Sequence, residues 1–161
     1  MRVGHGWDLH RLAPGRPLVL GGVVLPSEVG PVGHSDGDAL LHALTDAVLG
    51  AAGLGDIGTH FPDTDPRWKG RESAHFLEAA VAWAAERGLR PANADLTVVL
   101  ERPKLGPHRA AVVTKVAALL GLPGDRVNLK AKTAEGLGPV GAGEAVECHA
   151  VVLMDEGAPP A

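Results

Sequence analysis

The chain has 161 residues, 45% of them apolar, with no Tyr, two Phe and three Trp, which fits one domain around an aliphatic core. A formal charge of −4 and the lack of any Lys/Arg run exclude a general nucleic-acid binder, which carries a basic patch or stripe. A single cysteine, Cys148, excludes an internal disulfide framework and a cysteine-based zinc cluster; inside the apolar run Ala145 to Met154 it reads as a small buried hydrophobe.

Met1 to Leu12 has a strand pattern, with Val3, His5, Trp7 and Leu9 on one face. Leu18 to Leu25 predicts a second strand, broken by Gly21-Gly22, which permit a turn or bulge. Gly30-Pro-Val-Gly33 then forms a turn. A helix is predicted from Asp36 to about Gly50, capped by Ser35 or Asp36, with Leu40, Leu44, Ala47, Val48 and Ala51 as its core face. Gly53 to Pro66, dense in Gly, Asp and Pro, reads as a loop. A second helix covers about Glu72 to Arg87, with Phe76, Leu77, Ala80, Val81 and Ala84 inward and Gly88 as its stop. Asp95 to Leu100 is rich in β-formers. A third helix runs from about Pro107 to Leu120 and closes at Gly121. Val127 to Ala131 and Ala145 to Met154 are the last strands. This order predicts an α+β fold, a small mixed sheet with helices packed on one face. Residues 1–155 are expected to form one domain, and the Gly- and Pro-punctuated stretch from Glu156 to Ala161 is expected to be a disordered tail. No segment reaches the roughly 18 consecutive apolar residues of a membrane span. The N-terminal stretch has no apolar core followed by a cleavage site, so a cytoplasmic location is the expectation.

The first chemical constellation is Asp8-Leu9-His10. A carboxylate and an imidazole at i and i+2 point the same way from an extended chain. Zinc accepts both donor types, and a catalytic site uses three protein ligands with one open position. A solvated loop also fits the motif taken alone. His42 is the candidate third ligand. It lies opposite the Leu40/Leu44 stripe, with Asp38 and Asp46 one turn either side. That row is either a wet outer face or a metal ligand whose other ring nitrogen a neighbouring carboxylate orients. His5, His60, His75, His108 and His149 lack comparable partners and read as structural or surface residues.

Gly33-His34-Ser35-Asp36 precedes the first helix. Unpaired N–H groups and the helix dipole suit an anion there, with His34 and Ser35 as further donors; a plain Ser35 cap fits too. The stretch Asp56 to Asp65 carries three Asp, which suit a cation or sugar hydroxyls, or an ordinary polar loop anchored by Phe61. Arg102 and Lys104 follow a strand and suit phosphate, or are solvated charges. In Lys130 to Gly138, Thr133 can donate to a phosphate oxygen and Glu135 can hold Mg²⁺.

Together the strings Gly6-Trp-Asp-Leu-His10, Gly33-His-Ser-Asp-Gly-Asp38, Leu41-His-Ala-Leu-Thr-Asp46, Gly55-Asp-Ile-Gly58, His60-Phe-Pro-Asp-Thr-Asp65 and Lys130-Ala-Lys-Thr-Ala-Glu-Gly-Leu-Gly138 resemble the 2-C-methyl-D-erythritol 2,4-cyclodiphosphate synthase family, in its order and separations, from residue 1 to about 154. The resemblance implies an α/β sandwich, a ferredoxin-like variant, in a homotrimer with each active site between two subunits. It implies one Zn²⁺ per subunit, or another divalent cation in its place, on Asp8, His10 and His42, and catalytic roles for His34 and Thr133. It assigns substrate binding to Asp8, Leu9, His10 and the phosphate-positioning pair His34 and Ser35, with the methylerythritol end at Asp56, Ile57, Gly58, Phe61, Pro62, Asp63, Thr64 and Asp65. The cytidine nucleotide falls to Leu100, Glu101, Arg102, Pro103, Lys104, Leu105 and Gly106 with Ala131, Lys132 and Thr133. Glu135 is the implied ligand of a Mg²⁺ that accompanies the substrate diphosphate.

The implied reaction cyclises 4-diphosphocytidyl-2-C-methyl-D-erythritol 2-phosphate to the 2,4-cyclodiphosphate with release of CMP, in non-mevalonate isoprenoid precursor synthesis. The attacking 2-phosphate is ionised at neutral pH, so positioning and charge neutralisation supply most of the rate. Two departures stand out. Lys132 and Ala134 occupy places where the family pattern has Thr, while Thr133 is kept. Ala142 replaces a basic residue in Gly141-Ala-Gly-Glu144, which bears on an anion site at the trimer axis. Two rival readings are a phosphodiesterase using water at the same metal, and a trimeric nucleotide-binding module without chemistry.

Overall fold

The computed structural model describes residues 1–157. The first strand, β1 (Arg2–Pro14), and the last, β7 (Ala145–Glu156), pair antiparallel from Arg2 opposite Met154 to Arg11 opposite Ala145. A hairpin of β2 (Leu18–Leu20) and β3 (Val23–Leu25) turns at Gly21-Gly22 as expected, and β4 (Val29–Pro31) pairs with the end of β1. After α1 (Ala39–Ala52), a short α2 (Ile57–His60) and α3 (Ala74–Glu86) come β5 (Leu89–Val99), α4 (Arg109–Leu120), β6 (Val127–Lys132), a turn-length α5 (Gly138–Gly141) and β7. The five-stranded sheet has the order β4-β1-β7-β5-β6, parallel only between β5 and β6. This is the mixed α+β sheet with helices on one face that the pattern predicts. No helix of the described residues is long and apolar enough to cross a membrane.

Strand alternation divides the sheet's two sides. Val146, Cys148, Ala150, Val152 and Met154 of β7, and Ala94, Leu96 and Val98 of β5, are buried beneath the helices. Cys148 is fully buried, as its apolar context predicts, and burial pushes its thiol pKa well up. The opposite side is open: Val3 is 68% exposed, Trp7 49%, Leu9 42% and Val151 40%.

α1 is buried nearly all round, from Ala39 to Ala52, which makes it the central helix rather than an amphipathic surface one. Its Leu40, Leu41, Leu44 and Leu49 are fully buried, each contributing about 1.5–3 kcal/mol of apolar transfer. The helix begins later than predicted. Its cap is Asp38, whose Oδ1 accepts from Leu40 N at 3.1 Å and Leu41 N at 3.0 Å; neither Ser35 nor Asp36 caps it. Asp38 also accepts from Gly21 N at 3.0 Å and Gly22 N at 2.6 Å, tying the hairpin turn to the helix start. It is therefore a buried clamp and not part of a polar outer row. α1 ends at Gly53 in the left-handed conformation rather than at Gly50.

Two further boundaries differ. β5 starts at Leu89 because β7 pairs with it through a register shift at Pro91/Asn93, despite weak local β propensity. β7 continues through Glu156, which pairs with Leu89 and accepts from Arg2 Nε at 3.0 Å. Gly157 N donates to Gly88 O at 2.8 Å, so the expected tail cannot begin at Glu156, and residues 158–161 lie outside the described residues.

Candidate metal centre

Asp8 and His10 project from β1 toward α1, and His42 projects from α1 to meet them. Asp8 Oδ2 lies 2.9 Å from His10 Nε2 and 3.1 Å from His42 Nδ1, and those two nitrogens are 3.1 Å apart. Among the described residues this is the one group of three His, Cys, Asp or Glu side chains whose ligand atoms converge, all within 4.8 Å. An aspartate oxygen and two imidazole nitrogens are the donor set of a three-ligand divalent-metal site. The residues fit a cation.

The ring nitrogens facing away are also engaged. His10 Nδ1 donates to Val32 O at 3.2 Å, since a carbonyl can only accept, which leaves Nε2 as its ligand atom. His42 Nε2 lies 2.8 Å from Ser73 Oγ and 3.1 Å from Ser35 Oγ. Its outer partners are thus hydroxyls, not the carboxylates of Asp38 or Asp46. Asp46 instead accepts from Ile57 N at 2.7 Å and holds the start of α2 against α1. Burial favours neutral Asp8, but hydrogen bonds from His10 and His42 outweigh it and hold the carboxyl far below its usual range. Burial likewise opposes charge on His10, and Asp8 overcomes it, raising the imidazole pKa.

A cavity of about 480 Å³ opens at the histidines, lined by His10, Gly33, His34, Ser35, His42, Ile57, Gly58, Phe61, Pro62, Asp63, Trp68 and Phe76. One end is polar and reaches His10 and His42, with Asp8 behind them; the other is aromatic. Phe61 stacks on Trp83 at 5.6 Å and meets Phe76 at 4.6 Å and Trp68 at 5.2 Å, so it does anchor its loop. His34 Nε2 donates to Asp65 O at 3.1 Å. The loop aspartates do not converge. Asp56 caps α2 through Thr59 N at 2.8 Å, and Asp65 pairs with Arg67 at 2.6 Å, so Asp56, Thr64 and Asp65 flank the cavity without lining it. Leu9 alternates onto the open side of the sheet, so its side chain faces away from the cavity.

A second cavity, also about 480 Å³, is lined by Val98, Leu100, Lys104, Leu105, Gly106, Ala131, Lys132, Thr133 and Glu135. It gathers most of the residues expected to hold the nucleotide. Glu101, Arg102 and Pro103 open instead onto an adjoining hollow shared with Lys104. Glu101 Oε1 accepts from Ala134 N at 2.8 Å, joining the loops after β5 and β6. Thr133 donates to Glu135 Oε1 at 2.5 Å, and Glu135 sits at φ 52, a strained left-handed position for a side-chain-bearing residue. Ser73, Trp68 and Phe76 are the site residues that sequence reasoning missed. Trp68 and Phe76 sit on the loop and helix beyond Asp65, and only the aromatic clustering around Phe61 signals them.

A carboxylate–imidazole set beside a polar and aromatic cavity, on this sheet, has the make-up of a candidate metal centre. Residues 1–155 match the YgbB family, and the chain belongs to it. It is 58% identical over 154 residues to the 2-C-methyl-D-erythritol 2,4-cyclodiphosphate synthase of Dechloromonas aromatica, covering 96% of each chain. It is 57% identical over 155 residues to the synthase of the same name from Thermus thermophilus, covering 96% of this chain and 99% of that one. A solved structure of a 2C-methyl-D-erythritol-2,4-cyclodiphosphate synthase in a CDP-bound form superposes with a TM-score of 0.89 at 54% identity, covering 96% of this chain and 100% of that one.

Proposed function

We propose that the chain cyclises 4-diphosphocytidyl-2-C-methyl-D-erythritol 2-phosphate to 2-C-methyl-D-erythritol 2,4-cyclodiphosphate, releasing CMP, as a phosphorus–oxygen lyase of non-mevalonate isoprenoid synthesis. The observation that carries this reading is the convergence of Asp8, His10 and His42 at the polar end of a half-aromatic cavity. A divalent cation, Zn²⁺ on this reading, supplies Lewis acidity to a phosphoryl oxygen when bound there. The chain's own groups do the rest. His34 and Ser35 donate to phosphate at the cavity mouth. Ile57, Gly58, Phe61, Pro62 and Asp63 enclose the methylerythritol carbons and hold the 2-phosphate near its target. Lys104, Lys132 and Thr133 bind the departing nucleotide, and Glu135 offers its carboxylate to a Mg²⁺ carried with the diphosphate.

On this reading the two cavities do not serve one diphosphate within one chain. Asp8 lies on β1, and Val98 and Ala131 lie opposite it across β7, on β5 and β6. Three inter-strand spacings, roughly 14 Å, separate β1 from β6. The α- and β-phosphates are adjacent, so on this reading the nucleotide cavity of one subunit completes the metal centre of another. The open face bearing Val3, Trp7, Leu9 and Val151 supplies an apolar surface for that assembly. We therefore read the molecule as a homotrimer of single-domain subunits, with residues 1–155 as the domain, acting in the cytoplasm. Phosphorus NMR of the purified protein with this substrate, Zn²⁺ and Mg²⁺ tests the reading. A cyclic diphosphate with stoichiometric CMP is expected; a linear phosphate monoester would identify a phosphodiesterase instead, and nucleotide binding without turnover a non-catalytic module.

A further inference from the structure

Ser73 is a fully buried polar side chain at the start of α3, and the reaction above gives it no task. Its Oγ sits 2.8 Å from His42 Nε2 and donates to Asp36 Oδ1 in a short hydrogen bond. Asp36 receives donors only: Ser73 Oγ, Ser73 N at 3.1 Å on Oδ2, and Asp38 N at 3.2 Å on Oδ1. A carboxylate in that setting accepts and cannot donate. The single hydroxyl proton of Ser73 is therefore committed to Asp36, and its lone pair faces His42. With Ser73 as acceptor, His42 Nε2 supplies the hydrogen of that contact, and Nδ1, 3.1 Å from Asp8 Oδ2, is the nitrogen at which a cation would replace the hydrogen shared with Asp8. Asp36 is itself fixed, since its N donates to Arg71 O at 3.0 Å. Ser35 Oγ, at 3.1 Å from the same nitrogen, has no carboxylate behind it and already accepts from Gly37 N at 3.2 Å.

Resting on the metal reading of Asp8, His10 and His42, we infer that Ser73 and Asp36 are positioning residues for the metal: an aspartate–serine–histidine relay that selects His42 Nδ1 as the ligand atom and stops the ring from turning. The relay orders three chain segments at once, the loop before α1, α1 itself and the start of α3. It orients a neutral ligand through a hydroxyl, with the carboxylate one bond further away, so the carboxylate's charge is kept at a remove from the metal. Loss of an outer partner of a metal-bound histidine typically weakens metal binding by about 10–100-fold.

The test measures Zn²⁺ affinity by chelator competition, with no substrate present, in the full-length chain and in Ser73→Ala, Asp36→Asn and His42→Ala. Ser73→Ala and Asp36→Asn are each expected to bind Zn²⁺ about 10–100-fold more weakly. In the Zn²⁺-loaded unaltered chain, proton NMR should show a slowly exchanging imidazole N–H that disappears in Ser73→Ala. Where Ser73→Ala does not fold, Asp36→Asn decides. Affinities within twofold of the unaltered chain, while His42→Ala loses the metal, overturn the relay and leave the metal centre standing. Full affinity in His42→Ala overturns both.

Discussion

Gly6 on β1 and Ala43 on α1 meet with no room for a side chain between them: a Cβ on Gly6 would stand 1.8 Å from the Ala43 carbonyl oxygen. Gly4 stands in the same relation to Ala47 O, also at 1.8 Å. These two contacts seat the strand against the helix at backbone distance. Asp8 and His10 continue the same face of β1, and His42 adjoins Ala43, so a short carboxylate reaches an imidazole on another element. Gly6→Ala is expected to pry the two apart, lowering metal affinity at least about tenfold and fold stability on the order of 3 kcal/mol. Metal titration alongside urea unfolding checks both; a variant that binds metal normally would show that the glycine contact does not set the site.

Asp38 satisfies four backbone N–H groups from two segments. Asp38→Ala strands all four in the interior and removes the cap, for an expected loss of about 2–4 kcal/mol. The hairpin turn at Gly21-Gly22 should loosen first. Hydrogen exchange should therefore report faster exchange at Gly21 and Gly22 than at the middle of α1, and uniform loss of protection would contradict that order.

The metal-free chain should be stabilised by the Asp8–His10 pair over a defined pH window. A carboxyl held below its unfolded value of about 3.9 stabilises the fold above that pH and loses its share as pH falls through the folded value. An imidazole raised above its unfolded value of about 6.5 stabilises below that pH and loses its share as pH rises through the folded value. The pair's contribution is thus full between about pH 4 and pH 6.5. Asp38 opposes it. Burial pushes its carboxyl up to about 6, so its share is present at low pH and lost as pH rises through that value. Comparing Asp8→Asn with the unaltered chain by thermal unfolding in chelator isolates the pair: the stability gap should narrow above pH 6.5. Metal binding needs unprotonated imidazole, so Zn²⁺ affinity should rise over the same alkaline limb. Flat affinity from pH 6 to pH 8 would refute the assignment.

Two inactive variants should rescue one another if each active site joins two subunits. His42→Ala lacks a metal ligand, and Lys104→Ala weakens the nucleotide cavity; each alone should be nearly inactive. Refolded together in equal amounts, a closed ring of three with head-to-tail contacts pairs intact halves at about a quarter of its sites. Turnover near that fraction is the expected result, and no recovery would exclude a shared site.

Much of this was readable from the residues because it depends on local period. The i, i+2 spacing of Asp8 and His10 fixes their shared face once the strand exists, and the helical spacing of Leu40, Leu44 and Val48 locates the helix that brings His42. What stayed hidden depends on contacts far along the chain. Asp36 looks like a helix cap by position, yet it holds Ser73, 37 residues away. Asp38 resembles one of a row of exposed acids until the hairpin folds over it. Leu9 shares a motif with two ligands but points the other way, which alternation alone already dictates. β5 reaches back to Leu89 only because β7 supplies its hydrogen bonds, something no reading of Arg90-Pro-Ala-Asn93 reveals.

The central place of β7 also bears on how the chain is made. β7 lies between β1 and β5, so until it is available the sheet exists only as two separate pieces, β4 with β1 and β5 with β6. The strand of Asp8 and His10 is synthesised before the partner that secures it, so both residues wait on a growing polypeptide with no strand paired beside them. Such late, long-range closure is intrinsically slow and leaves strand edges open to other nascent chains. A stalled ribosome holding back the residues from Ala145 onward should therefore display a helix-rich, metal-free intermediate, with assembly into oligomers beginning only on release.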